Sequence, residues 1–410
     1  MWTERDDKAP WLYVIELLIP EETSEAERRR ARLLTDSLPL PVENISRPAQ
    51  LDAAARELAG SHVIVLDTES NSFHHYPEQL CLIQIASRHK VYIIDAISLD
   101  DLAPLRDVLA DGSIEKIVHG ADYDIRSLDR HCGLHIHNLF DTSIAARFTG
   151  ITQFGLAGLT RDLLGITINK SKRLQRADWG RRPLSAEALD YAAGDVRHLL
   201  ALREILGQRL RTLGREEWVA EECAITEEIR YTAPDIEAAY LSVKGARVLD
   251  GRGLAVLHSL FLFRDGEARR QHRPPFFILP DAALVFLAAS PEVDFSEVPG
   301  IGQTGLNRFG QGLQRALRNG ITAPPLHRPH HIKTVRPSKE QGRRLSYLKK
   351  WRTALGSSLS LDPSLIWPLT SLGRLAKAPD SLSAELTTDS IRHWQGDVIA
   401  PSLQVCLESL

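Results

Sequence analysis

The sequence has no apolar run of about 18 residues, the length that a helix needs to cross a membrane, so we expect no membrane-spanning segment. Its four cysteines lie far apart and form no CxxC pair. This spacing argues against a disulfide framework or a zinc ribbon and favours a reducing compartment, so we expect a cytoplasmic protein. The net charge of −3 shows no overall positive excess, which is the usual sign of a nucleic-acid-binding protein.

Positive charge is instead concentrated in two segments. Residues Lys170 to Arg182 hold six lysines or arginines against one acid, and Pro324 to Arg352 hold nine against one. Such local excesses can neutralise phosphates in a chain without net positive charge. These segments are therefore the candidate nucleic-acid-binding parts of the chain.

Hydrophobic patterning divides the 410 residues into several units. Short apolar runs between polar turns predict a buried mixed sheet, and helical spacing follows them in the same part of the chain. The predicted strands are His62–Leu66, Cys81–Ala86, Val91–Ile94 and Glu115–Val118, and the predicted helices are Tyr123–Arg130, Thr142–Phe148 and Ser185–Arg211. We expect an extension over 1–40 with one further strand at Trp11–Leu18, an α/β domain over 41–220, helical units over 226–322 and 338–410, and a Pro- and His-rich linker over 323–337.

The most specific pattern is a pair of acids, Asp67 and Glu69, at the end of a predicted buried strand. By itself such a pair is more often a surface turn or a helix cap. However, Asp124 follows another predicted strand, and Tyr191 and Asp195 share one face of a long helix because they are four residues apart. Carboxylates beside a buried strand are costly unless they are paired or bind a cation. Hard divalent cations prefer oxygen ligands, so the four acids can converge on one or two such ions.

These three elements resemble the three exonuclease motifs of the DEDD superfamily, in its tyrosine subclass. Leu174 to Trp179 and Arg182 to Ser185 also resemble the ribonuclease D family, and the likeness covers about residues 40–215. Asp190 stands where the histidine subclass would have its histidine, which disfavours that subclass. The resemblance implies an α/β ribonuclease-H-like exonuclease domain, in which helices flank a mixed sheet.

The same resemblance implies hydrolysis of RNA from its 3′ end to nucleoside 5′-monophosphates, with two Mg²⁺ or Mn²⁺ ions as cofactors. Asp67 would bridge both ions, Glu69 and Asp195 would complete the first site, and Asp124 would hold the second ion, partly through water. Tyr191 would orient the attacking water, since a phenol with an ordinary pKa of about 10 is a poor base at neutral pH. Transfer-RNA precursors or other small structured RNAs are the substrates that the resemblance suggests.

The basic segment between the second and third motifs can border the catalytic cleft. Lys170, Lys172, Arg173 and Arg176 are candidates to neutralise RNA phosphates, and Trp179 is a candidate to stack on a base. A solvated loop with Trp179 packed against the core fits the same residues equally well.

The chain behind the α/β domain resembles the HRDC domain, named for helicases and the ribonuclease D C-terminus. Arg273 to Asp281 carries this likeness, and Val298 to Gly302 resembles the turn before the last helix of that domain. Residues from Pro337 onward resemble a second, weaker copy. Two all-α HRDC-like domains that bind nucleic acid are therefore expected after the exonuclease domain.

Two other functions fit the same residues. A DNA exonuclease of the same superfamily would share the acids, but no helicase or polymerase segment accompanies them, and the HRDC-like tail favours a ribonuclease. A non-catalytic RNA-binding adaptor would differ in lacking hydrolysis. The GxGxxG pattern from Gly300 to Gly305 does not predict a dinucleotide cofactor, because no buried strand precedes it and a helix–helix turn explains it.

Overall fold

The computed structural model of the protein describes residues 40–168, 171–328 and 337–410. The predicted strand at Trp11–Leu18 and most of the expected linker lie outside these residues. The chain enters the described part as an α/β unit with a six-stranded sheet. Its strands are β1 (Val42–Ile45), β2 (Val63–Ser70), β3 (Leu80–Ala86), β4 (Val91–Asp95), β5 (Glu115–Val118) and β6 (Leu139–Asp141).

The sheet is mixed, with the order β1-β4-β3-β2-β5-β6. Strands β2, β3 and β4 run antiparallel to their neighbours within this meander, whereas β1, β5 and β6 join by parallel pairing. The four predicted strands are confirmed as β2 to β5. The sequence did not predict β1 and β6, because these edge strands are short and are not continuous apolar runs.

Helices cover the sheet and form most of the described residues that follow it. The predicted helix Ser185–Arg211 is divided in two at His198. The helices are α1 (Pro48–Ala59), α2 (Arg106–Ala110), α3 (Asp122–Cys132), α4 (Thr142–Phe148), α5 (Leu156–Leu159), α6 (Lys172–Gln175), α7 (Ala186–Arg197), α8 (Leu199–Leu213), α9 (Glu216–Glu227), α10 (Ile236–Ala239), α11 (Gly251–Gln271), α12 (Pro275–Ile278), α13 (Asp281–Ala289), α14 (Gln303–Thr322), α15 (Lys339–Ser358), α16 (Pro363–Ile366), α17 (Leu369–Leu375), α18 (Leu382–Glu385) and α19 (Ala400–Glu408).

Helices α10 to α14 surround a hydrophobic core of their own. The long helix α11 packs against α13 and α14, and its apolar residues Leu254, Leu257 and Leu260 are buried there. The glycine-rich segment before α14 connects this helix to a short 3₁₀ helix, Phe295–Glu297, and is therefore a helix–helix connection. None of the helices in the described ranges is both long enough and apolar enough to cross a membrane.

The last helices, α15 to α19, share the hydrophobic core of the α/β unit instead of forming a separate one. Trp394 stacks on Trp218 of α9, with ring centroids 4.6 Å apart. Arg215 is fully buried at the same junction and donates hydrogen bonds to the carbonyl oxygens of Phe148 and Leu359, each at 2.8 Å. The α/β unit and the last helices therefore share one hydrophobic core.

Candidate active site

Three of the predicted acids meet where β2 ends. Asp67 and Glu69 lie two residues apart on this central strand, so their side chains leave it on the same side. The pairing of β2 with β3 is irregular between Glu69 and Ser70, and such bulges redirect side chains beside functional sites. Asp195 of α7 joins them, and one carboxylate oxygen from each acid lies within 4.8 Å of the other two.

Helix α7 supplies the second half of the site. Ser185 caps it by accepting a hydrogen bond from the backbone N–H of Ala188, which fixes the start of the helix. Tyr191 and Asp195 then face the sheet one turn apart. Burial raises the pKa of Tyr191 well above its ordinary value, and the nearby carboxylates of Asp195 and Glu69 raise it further. The phenol therefore keeps its proton at neutral pH.

Asp124 lies beside this group but is not one of its three members. It is in the first turn of α3, is buried, and accepts a 2.6 Å hydrogen bond from the hydroxyl of Thr68. Burial raises the pKa of Asp124 to about 7, and the nearby carboxylate of Asp141 contributes. Thr68 stands between Asp67 and Glu69 in the sequence, so Asp124 contacts the same segment of β2.

Sequence reasoning missed Asp141, which positions the segment that carries Asp124. Its buried carboxylate accepts hydrogen bonds from the backbone N–H groups of Gly120 and Ala121, just before α3. The same carboxylate caps α4 by accepting hydrogen bonds from the backbone N–H groups of Ser143 and Ile144. An Asp directly before the Thr-Ser start of a predicted helix is an N-cap signal, and this signal was available in the sequence.

The segment between α5 and α7 contributes a hydrogen bond to the phenol of the site. The side chain of Gln175, at the end of α6, hydrogen-bonds to Tyr191. The ring of Trp179 packs against the ring of Tyr191, with centroids 6.0 Å apart. The prediction that Trp179 stacks on a base is wrong, because only 1% of this residue is exposed and its face is occupied by the protein core. The structure instead has the alternative arrangement, in which Trp179 packs against the core.

The other candidate RNA contacts in this segment are at the surface. Lys172, Arg173 and Arg176 are exposed, whereas Lys170 lies outside the described residues. Arg173 donates to both carboxylate oxygens of Glu187 at 2.5 Å, so part of its charge is neutralised within the protein. Lys172 and Arg176 remain candidates for phosphate contacts.

The donors in the three-acid group suit a hard divalent cation. All of them are carboxylate oxygens, and they are close enough to bind one ion together. Sites of this type bind Mg²⁺ or Mn²⁺, whereas zinc sites usually include thiolate or imidazole ligands. A ligand of a second ion need lie close to only part of this group, because paired ions in such sites are about 4 Å apart. The position of Asp124 is compatible with that arrangement.

Comparison with known proteins gives a consistent result. A family model for the 3′–5′ exonuclease matches residues 42–211, and one for the HRDC domain matches residues 253–317. The ribonuclease D of Desulfotalea psychrophila is 32% identical over 306 residues, which are 73% of this chain and 81% of that protein. The ribonuclease D of Granulibacter bethesdensis is 30% identical over 365 residues, 86% of this chain and 89% of that protein.

The fold agrees with these sequence matches. The crystal structure of Escherichia coli RNase D, an exoribonuclease involved in structured RNA processing, superposes with a TM-score of 0.68 at 24% identity, covering 90% of this chain and 99% of that one. The expected ribonuclease-H-like α/β exonuclease domain and an HRDC domain behind it are therefore confirmed. Together with the relatives of similar length, these matches show that the chain belongs to the ribonuclease D family of 3′–5′ exoribonucleases.

Proposed function

We propose that the protein shortens RNA from its 3′ end by a two-metal mechanism and releases nucleoside 5′-monophosphates. The exoribonuclease activity follows from membership of the family. The observation that carries the mechanism is the convergence of Asp67, Glu69 and Asp195 from a strand and a helix that are more than 120 positions apart. Such a group of carboxylates is costly without a cation to balance it.

The candidate ligands are residues of this chain. Asp67, Glu69 and Asp195 would hold one ion, and Asp124, with help from Asp67, would hold the second. Such ions would supply positive charge to stabilise the attacking and leaving oxygens. Tyr191 would orient the attacking water by donating a hydrogen bond, because a phenol keeps its proton at neutral pH and burial favours the protonated form further. The buried Tyr191 one turn before Asp195, together with an exposed Asp190 in the place of a histidine, supports the tyrosine subclass.

We infer that the substrates are transfer-RNA precursors or other small structured RNAs. The support is the likeness over most of the chain to an enzyme of structured RNA processing. We also propose that α15 to α19 form a second HRDC-like domain. The proposed limits are 1–40 for the extension, 41–220 for the exonuclease domain, 226–322 for the first HRDC domain, 323–337 for the linker and 338–410 for the second HRDC-like domain. All four cysteines are unpaired, three of them buried, which supports the expected cytoplasmic location.

The test is digestion of a 5′-labelled RNA strand by the purified protein with Mg²⁺, Mn²⁺ or a chelator. We expect a ladder that shortens from the 3′ end only when a metal is present, with nucleoside 5′-monophosphates as products. Asp67→Asn should be inactive, whereas Asp190→Asn, an exposed acid of α7, is the matched control that should stay active. Faster digestion of a DNA strand of the same sequence would favour the DNA exonuclease. A protein that binds RNA but does not digest it with either metal would favour the adaptor.

A further inference from the structure

Exposed phenylalanines are concentrated at one place on this protein. Four phenylalanines are exposed in the parts of the chain that the structure describes: Phe73, Phe154, Phe276 and Phe277. Burying such a ring would stabilise the fold, so rings that stay exposed in well-anchored segments call for an explanation. Phe154 lies by itself between α4 and α5. The other three lie on either side of the contact between the exonuclease domain and the HRDC domain.

Phe73 is exposed although its loop is firmly held. The loop connects β2 to β3 and begins directly after the catalytic acids. The hydroxyl of Tyr123 donates a 3.2 Å hydrogen bond to Glu78 near its end, and the ring of His74 hydrogen-bonds to the backbone oxygen of Arg176 at 2.7 Å. The guanidinium of Arg176 lies 5.8 Å from the centre of the Phe73 ring. A fixed loop that leaves 48% of Phe73 exposed presents this ring to solvent.

This aromatic–arginine pair adjoins the catalytic group from two directions. Phe73 is four residues after Glu69, so the extended chain between them spans at most about 14 Å. Arg176 directly follows Gln175, whose side chain hydrogen-bonds to Tyr191. The pair therefore lies at the edge of the catalytic site.

The same loop also holds the HRDC domain. The hydroxyl of Tyr76 donates a short hydrogen bond to Asp265 of α11, and the guanidinium of Arg269 lies 5.1 Å from the centre of the Tyr76 ring. Four residues beyond Arg269, Arg273 lies 5.1 Å from the centre of the Phe277 ring. A second aromatic–arginine pair, Phe277 and Arg273, therefore lies next to the contact made by Tyr76.

Phe276 extends this second pair into a wider platform. The rings of Phe276 and Phe277 are 4.6 Å apart, and slightly more than half of each residue is exposed. Rings at this spacing, with an arginine beside them, can stack on consecutive bases while the cation contacts phosphate. Stacking of this kind accepts any base, which suits an enzyme that must pass along a strand.

We propose that the single-stranded 3′ end of the RNA runs from the catalytic acids over Phe73 and Arg176, and then onto Phe276, Phe277 and Arg273 of the HRDC domain. The first pair holds the nucleotides beside the scissile bond, and the second platform holds the strand further upstream. This path rests on the proposed function. It makes the Tyr76 contact the element that keeps the two binding surfaces in line.

The test compares hydrolysis of single strands of about 4 and about 16 nucleotides, the two ends of the range of site sizes found for one single-strand-binding fold. Each stack contributes roughly 1–3 kcal/mol, so Phe73→Ala should lower kcat/KM about 5- to 150-fold on both strands. The double variant Phe276→Ala/Phe277→Ala should lower the ratio of long-strand to short-strand kcat/KM by a factor in the same range. Phe73→Tyr should restore activity, whereas Phe73→Leu, which is apolar but not aromatic, should not.

Phe154→Ala is the matched control, because Phe154 is also exposed with an arginine, Arg147, 5.8 Å from its ring centre. It should change neither rate, and urea midpoints should agree among all variants because the rings are exposed. An unchanged length ratio in the double variant, full activity of Phe73→Leu, or an equal loss for Phe154→Ala would overturn the strand path. If the wild-type protein degraded no RNA with either metal, the proposed function itself would fail, whereas an active wild type with unaffected variants would refute only the path.

Discussion

Asp141→Asn should destabilise the protein and weaken its catalytic site together. The carboxylate of Asp141 accepts four backbone N–H groups, three on Oδ1 from Gly120, Ser143 and Ile144, and one on Oδ2 from Ala121. An asparagine has only one acceptor oxygen. It can therefore keep at most three of these bonds, and its NH₂ group then faces the remaining N–H.

The expected loss follows from these bonds. A buried N–H without an acceptor costs about 1–3 kcal/mol, and each remaining bond weakens by about 1 kcal/mol when its acceptor becomes neutral. Removing a buried charge offsets part of this loss, because Asp141 is 2% exposed and its charge also helps to raise the pKa of Asp124. We expect the free energy of unfolding to fall by about 2–4 kcal/mol.

The assays are urea unfolding followed by tryptophan fluorescence, and hydrolysis of a short RNA strand. Since Asp141 holds the turn that places Asp124, we expect kcat to fall about 10- to 100-fold as well. Asp111→Asn is the control: Asp111 is exposed, and its side chain accepts one backbone N–H, from Ser113, which an asparagine can still bind. An Asp141→Asn protein as stable and as active as this control would refute the positioning role of Asp141.

Three further predictions concern metal binding, pH dependence and the junction with the last helices. Asp67→Asn should abolish hydrolysis but leave RNA affinity within about threefold, measured by fluorescence anisotropy, because most contacts to nucleic acids are made to phosphates outside the catalytic group; normal cleavage at ordinary Mg²⁺ would contradict the mechanism. Burial lowers the pKa of Lys116 from 10.5 to about 8. The unfolded chain therefore binds more protons than the folded protein between these pH values. The free energy of unfolding of wild type should rise by up to about 3 kcal/mol relative to that of Lys116→Met as pH rises from 8 to 10.5. Urea midpoints of the two proteins that change equally across this window would contradict the prediction. Arg215→Met leaves two buried carbonyl oxygens without donors and should destabilise by about 1–3 kcal/mol, whereas Arg211→Met, on the exposed side of α8, should change the urea midpoint little; equal midpoints would mean that the burial cost of Arg215 cancels its bonds.

The sequence alone was sufficient to predict the central strands and the convergence of three of the four candidate acids. Strands β2, β3 and β4 each contain a run of four apolar residues between polar turns, so their positions are local signals in the sequence. Asp67, Glu69 and Asp195 stand at the ends or on the faces of predicted elements, where unbalanced carboxylates need a cation. Their convergence could be predicted because this need links residues that are distant in the sequence.

Other features depended on contacts that no local pattern records. A tryptophan in a basic loop reads equally well as a surface ring or as part of the core, and only its packing against Tyr191 places Trp179 inside. Asp141 is one acid among many until the fold brings the turn before α3 to it. The sequence also indicated two similar helical units, whereas packing gave them different roles. The first has its own core and contacts the loop between β2 and β3 through Tyr76, and the second completes the core of the exonuclease domain through Trp394. Hydrophobic spacing shows which face of a helix is buried, but the surface that covers this face is decided only when the whole chain is folded.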